Sequence, residues 1–157
     1  MELSLGTVRA ADLMSGPPIT VGPDATLGTV RQVFVSHGVQ HVLVVEDSTL
    51  RGVVSDREVL RALSPYLDTA SEQARDLQTL RRPVHQVMDH HPVTVGPEAT
   101  LEEVARLFAT HRFSWLPVVE PSGRPLGAVT WRDLLGHFLP ELRPEPASFP
   151  ASRTPGA

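Results

Sequence analysis

The chain contains no cysteine. Disulfide frameworks, thiolate nucleophiles and thiolate metal sites are therefore excluded. No apolar run approaches the roughly 18 residues that a membrane helix requires. The first residues, MELSLGTVRAADLM, lack a basic stretch followed by an apolar one, so no secretory signal is expected and a cytoplasmic location is the default. A large charge excess is missing too. The net charge of −4 gives no reason to expect nucleic acid as the main partner. The motifs of common chemistries are also absent: there is no GxSxG nucleophile elbow, no Walker A loop, no GxGxxG and no HExxH. No catalytic residues are assigned, and an enzyme is not expected.

What is present is a globular composition, 41% hydrophobic and 20% charged over 157 residues, enough for one compact core. The octet TVGPDATL, Thr20 to Leu27, returns as TVGPEATL, Thr94 to Leu101, with only Asp24 exchanged for Glu98. The repetition extends in both directions. Met14 aligns with Met88, Pro18 with Pro92, Phe34 with Phe108 and His37 with His111, and VLVVE (42–46) aligns with LPVVE (116–120). GVVSDREVL (52–60) then meets GAVTWRDLL (127–135), one residue further along, because the turn PSGRPLG is longer than its counterpart. Turns absorb insertions more readily than strands do. The copies span 8–63 and 84–139. Each is too small to be comfortable alone, so two half-domains burying their sheets against each other are expected.

The period of the apolar pattern assigns the elements within each copy. Ile19–Val21 is a short strand stopped by Gly22-Pro23. Leu27, Val30, Val33 and Phe34 follow helix spacing, as do Leu101, Val104, Leu107 and Phe108. Thr100 and Glu103 form a capping-box signature. The first copy lacks it and carries Gly28 inside the helix, so that helix is expected to be the weaker one. VLVVE reads as a strand buried on both faces. A second strand, Gly52 to Ser55, and a helix from Asp56 complete a β-α-β-β-α order, twice. The fold class is α/β (α+β), with small mixed sheets, helices on one side and a pseudo-twofold relation between copies. Residues 64–83 are read as a linker with a polar helix. The proline-rich segment 140–157 is read as disordered.

With these pieces in order and repeated, the chain resembles a tandem pair of CBS (cystathionine-β-synthase) domains, the Bateman module. The pieces are VRAADLM and VHQVM, PPITVGPDATL and HPVTVGPEATL, HVLVVE and WLPVVE, GVVSDRE and GAVTWRD. The resemblance implies a regulatory module without a cofactor requirement. It implies binding of AMP, ADP, ATP or S-adenosylmethionine between the copies, and self-association into disc-like homodimers. The pair is expected to stand alone here, without a fused catalytic or channel domain.

Ser55-Asp56-Arg57-Glu58 and Thr130-Trp131-Arg132-Asp133 place a hydroxyl at a strand-to-helix junction and a carboxylate three residues on. That is a helix cap by itself. The same geometry suits a nucleotide: the helix N-terminus and the hydroxyl face a phosphate, and the carboxylate accepts from a ribose diol. Arg57 and Arg132 add positive charge. Thr130 and Asp133 match the family's form. Glu58 departs from it by one methylene and is expected to crowd the ribose, while Asp56 sits at a different spacing. Thr20, Val21, Thr94 and Val95 are expected to offer backbone groups to the adenine edge. Val42, Leu43, Leu116 and Pro117 are expected to be apolar walls, or else simply core. The cluster His85, Asp89, His90 and His91 is not read as a metal site, because adjacent side chains diverge. Trp131 is expected at a dimer interface or stacked on a base. The alternative to a nucleotide sensor is a ligand-free dimerisation module that binds a partner protein.

Overall fold

The computed structural model describes residues 7–142. Helix α1 (Ala10–Leu13) leads into strand β1 (Thr20–Val21), helix α2 (Leu27–His37), strands β2 (His41–Glu46) and β3 (Thr49–Ser55), and helix α3 (Asp56–Ala62). Helix α4 (Ala74–Thr79) lies in the linker. A 3₁₀ turn (Val84–Gln86) opens the second copy, followed by helix α5 (Leu101–Thr110), strands β4 (Trp115–Val119) and β5 (Pro125–Thr130), and helix α6 (Trp131–Phe138). Of the segment read as disordered, Pro140–Leu142 form a 3₁₀ turn, and 143–157 lie outside the described residues.

In the first sheet β1 runs parallel to β2, and β2 antiparallel to β3. The second sheet is the antiparallel pair β4–β5, where a single parallel bridge, Val95 to Val118, replaces the third strand. Both hairpins carry a register shift at equivalent positions, between Val44 and Val45 and between Val118 and Val119. Their turns differ, as the unequal sequences require. Asp47 and Ser48 both adopt positive φ, 50° and 60°, in a two-residue turn. In the longer turn Gly123 takes φ of 90°.

Helices cover one face of each sheet. Leu27, Val30 and Phe34 of α2 meet Val42 and Val44 of β2, Val54 of β3 and Val59 of α3. In the second copy Leu101, Val104 and Phe108 meet Leu116, Val118, Val129 and Leu134. Burying a side chain of this size stabilises by about 1.5–3 kcal/mol. Leu43 is equally buried but belongs to neither core. Strand alternation turns it to the face opposite the helices.

The sequence does not display how the lead-in segments cross. Ala10 is fully buried in the second core, with Val8, Leu13 and Met14 packed beside it. Val84 and Met88 lie in the first. Each lead-in thus completes the core of the opposite copy. Ser15 bridges Ala128 and Asp89 bridges Val53, two equivalent contacts. The amide of Leu101 donates to Val8, and those of Leu27 and Gly28 donate to Arg82 and Leu80. Gly28 is where the linker lies against α2: a Cβ there would stand 3.4 Å from the Leu80 carbonyl oxygen. Helix α2 spans 11 residues and α5 10.

Candidate functional site

The two SxxE and TxxD motifs sit at the junctions β3–α3 and β5–α6, and both form complete capping boxes. Thr130 N–H donates to Asp133 Oδ2 at 2.7 Å and its hydroxyl to the same oxygen at 2.8 Å, while Asp133 N–H donates to Thr130 Oγ1 at 3.2 Å. Ser55 makes the same three bonds with Glu58, at 2.7, 3.0 and 3.3 Å. The longer Glu58 therefore folds back to the same closure rather than projecting past the cap. Each box engages one carboxylate oxygen, and among the described residues no hydrogen bond engages the second, Asp133 Oδ1 or Glu58 Oε1. Two of the first three amides of α6 are already used, Trp131 N–H on Ser114 O and Asp133 N–H on the cap. The helix end thus offers fewer free donors to a phosphate than its sequence implies. Arg57 and Arg132 are exposed, and Asp56 is half-buried with its amide on Gln40 O.

The strands opposite these motifs bring the copies together. His41 pairs with Ser55 across β2–β3, and Trp115 with Thr130 across β4–β5. The two rings, at equivalent positions, stack on each other with centroids 4.8 Å apart and planes within 7°. Burial lowers the pKa of His41 from its ordinary value; Asp56 and Glu58 oppose that shift and Arg57 adds to it. At the far end of the interface Leu50 N–H donates to Gly123 O, 2.9 Å. Neither ring was assigned a role from sequence. The signal was available: both occupy the position before the repeated apolar run.

The remaining expected residues divide by strand face. Leu43 and the equivalent Pro117 are buried outside the two helix-covered cores. Val42 and Leu116 are consumed by those cores, so they are not walls of an inter-copy cleft. Thr20 and Thr94 are exposed. Val21 is tied to Val44 in the sheet register. Val95 donates to Pro117 O and accepts from Val119 N–H, so its amide is not open to an adenine edge. Trp131 is neither free for a base nor turned fully outward. It packs against the second core, with its ring stacked on Phe108 at 5.0 Å. Two open grooves, of about 610 and 980 Å³, run along α5 and α2 on the outside of the molecule; of the expected site residues, Val95 alone borders one. His37 Nδ1 bonds Val33 O at the end of α2, a helix-terminal role. Among the described residues no three His, Asp or Glu side chains converge as metal ligands.

This architecture is shared. The CBS domain model matches the chain twice, over residues 10–65 and 84–140. A CBS domain-containing protein of Dictyostelium discoideum is 30% identical over 141 residues, 88% of this chain and 97% of its own length. The structure of CBSX2 in complex with AMP is 28% identical, with a TM-score of 0.69, covering 86% of this chain and 98% of that one. The cytosolic domain of the Mg²⁺ channel MgtE in complex with ATP is also 28% identical, with a TM-score of 0.68, covering 82% of this chain and 48% of that one. With two matched repeats in one fold, the chain belongs to the CBS domain family and is a tandem CBS pair, a Bateman module.

Proposed function

We propose that this chain is a regulatory module that binds an adenosyl compound between its two repeats, at the side formed by Thr130 and Asp133. The observation that carries this reading is the Thr130–Asp133 box. It holds a carboxylate at a strand-to-helix junction with Oδ2 bound and Oδ1 open, the arrangement a ribose diol requires. Similarity to CBSX2 with AMP and to MgtE with ATP supports the ligand class. A phosphate oxygen would accept a hydrogen bond from the Thr130 hydroxyl, in place of the bond that hydroxyl now donates to Asp133, with Arg132 nearby in solvent. Thr20 and Thr94, exposed beside the sheets, are the remaining candidates for contacts to the base. The role is regulatory rather than catalytic: binding shifts the relation of the two repeats to the extent that one arrangement binds better.

A second reading is favoured by the filled inter-repeat face, where Leu43 is fully buried and the His41–Trp115 stack is closed. In that reading the chain binds no nucleotide and acts through self-association or a partner protein. Leu60 and Leu135, equivalent positions on α3 and α6 that are 67% and 45% exposed, supply an apolar surface for it. The same surface serves a homodimer in the first reading.

Thermal unfolding with AMP, ADP, ATP and S-adenosylmethionine separates the two. A ligand at a hundredfold its Kd adds about 2.7 kcal/mol, a Tm shift of roughly 5–10 °C for a chain of this size. Asp133→Ala is expected to abolish that shift while costing about 1 kcal/mol of stability through the lost cap. No shift with any of the four ligands would leave the ligand-free reading.

A further inference from the structure

The His41–Trp115 stack is the one ring contact between the two repeats among the described residues. It lies beside both capping boxes, because His41 pairs with Ser55 and Trp115 with Thr130. One partner is an indole that cannot titrate in water. The other is the only type of side chain whose ordinary pKa falls within the physiological range. We propose that this stack is a proton-operated latch between the repeats, closed while the His41 imidazole is neutral and loosened when it is protonated.

The argument is one of solvation against local charge. The face of the imidazole is covered by Trp115, and protonating it there removes hydration that a cation requires. The charged groups around it all belong to the junction β3–α3: Asp56 and Glu58 favour the cation, and Arg57 disfavours it. The second repeat faces it with the uncharged indole. Glu58 Oε2 is already engaged by the Ser55 amide and hydroxyl, which weakens its pull on a proton at His41. Burial is the largest influence and lowers the pKa. An imidazolium over an indole face regains part of that lost hydration as a cation–π contact, which opposes opening. Among the described residues no buried side-chain nitrogen or oxygen lacks a partner, so neither ring nitrogen of His41 is both sealed and unbonded.

The sign follows from linkage. A histidine whose pKa is lowered in the closed state contributes full stability to that state above its ordinary value of about 6.5. The contribution fades as pH falls through 6.5 toward the lowered value. Acidification therefore loosens the stack beside the junctions that carry Ser55 and Thr130.

The test is a proton NMR titration of the full chain without ligand, following the His41 ring and the Trp115 indole N–H between pH 8 and 5. The result expected is a His41 midpoint below the ordinary histidine value of about 6.5, with the Trp115 signal moving at the same midpoint and its contact to His41 fading below it. Trp115→Ala, which uncovers the imidazole, should raise the His41 midpoint toward that ordinary value. A His41 midpoint at or above it, a Trp115 signal indifferent to the His41 titration, or a His41–Trp115 contact that persists below the midpoint overturns the latch. Because no nucleotide is present, the latch can fail while nucleotide binding stands, and the reverse.

Discussion

At the scale of single residues, the two glycines that open the GVVS and GAVT segments show how a side chain can matter by being absent. A Cβ on Gly52 would stand 2.6 Å from the Asp89 carbonyl oxygen and 2.6 Å from the Met88 sulfur. On Gly127 it would stand 2.5 Å from the Ser15 carbonyl oxygen. The crossing lead-ins lie flat against these strands, and backbone oxygen cannot retreat without breaking the bridges at Val53 and Ala128. Gly52→Ala and Gly127→Ala are each expected to cost about 1–3 kcal/mol by overpacking. A fall in the urea midpoint with an unchanged m-value would register that loss, whereas a neutral result would mean that the lead-ins are not held as described. Sequence gave both glycines as repeated positions. The reason for them is a neighbour more than 30 residues away.

At the scale of elements, the linker helix is anchored by a carboxylate that has almost no exposure. Asp76 is 6% exposed and accepts from the Ser64 hydroxyl at 2.7 Å and the Gln73 amide at 2.8 Å. Thr79 closes the group by donating to the Asp76 carbonyl and accepting from the Ser64 amide. The Ser64 hydroxyl, then the Gln73 amide and the charge of Arg75, hold the Asp76 carboxyl below its ordinary pKa. A depressed carboxylate pKa stabilises the folded linker above the ordinary value of 3.8. That stabilisation is lost as pH falls through the lowered value. Asp76→Asn is therefore expected to melt lower at neutral pH and to show a flatter Tm between pH 5 and 3 than the natural chain. Parallel Tm–pH curves for the two proteins would contradict the role given to Asp76. The polar run SEQARDLQTLRR is enough to announce a linker helix in this region. Its start at Ala74 is fixed by the bond from the Gln73 backbone N–H to the Asp76 carboxylate, which composition does not reveal.

At the scale of the whole molecule, the exchanged lead-ins make the two repeats one cooperative body. Deleting residues 1–15 removes Ala10, Leu13 and Met14 from the second core, not the first. Hydrogen exchange on that variant is expected to show lost protection in α5, β4 and β5, with α2 and β2 much less affected. Loss confined to the first repeat would contradict the crossing. For the natural chain, a single calorimetric transition with equal calorimetric and van't Hoff enthalpies is expected, because neither core is complete without the other repeat's lead-in.

The sequence by itself determined the repeat, the two helix-covered cores, both capping boxes and the β-α-β-β-α order of the first copy; in the second copy a single bridge at Val95 stands where the first strand was expected. These rest on local spacing and on alternation along one strand or helix, which neighbouring residues impose on each other. Tertiary structure alone decided what happens between the copies. It separated Leu43 and Pro117 from Val42 and Leu116, occupied the amide of Val95, turned Trp131 onto Phe108 and set His41 against Trp115. Each of these depends on a partner that is distant in the chain. An apolar or aromatic residue carries in its own identity the tendency to be buried, but not which surface will bury it.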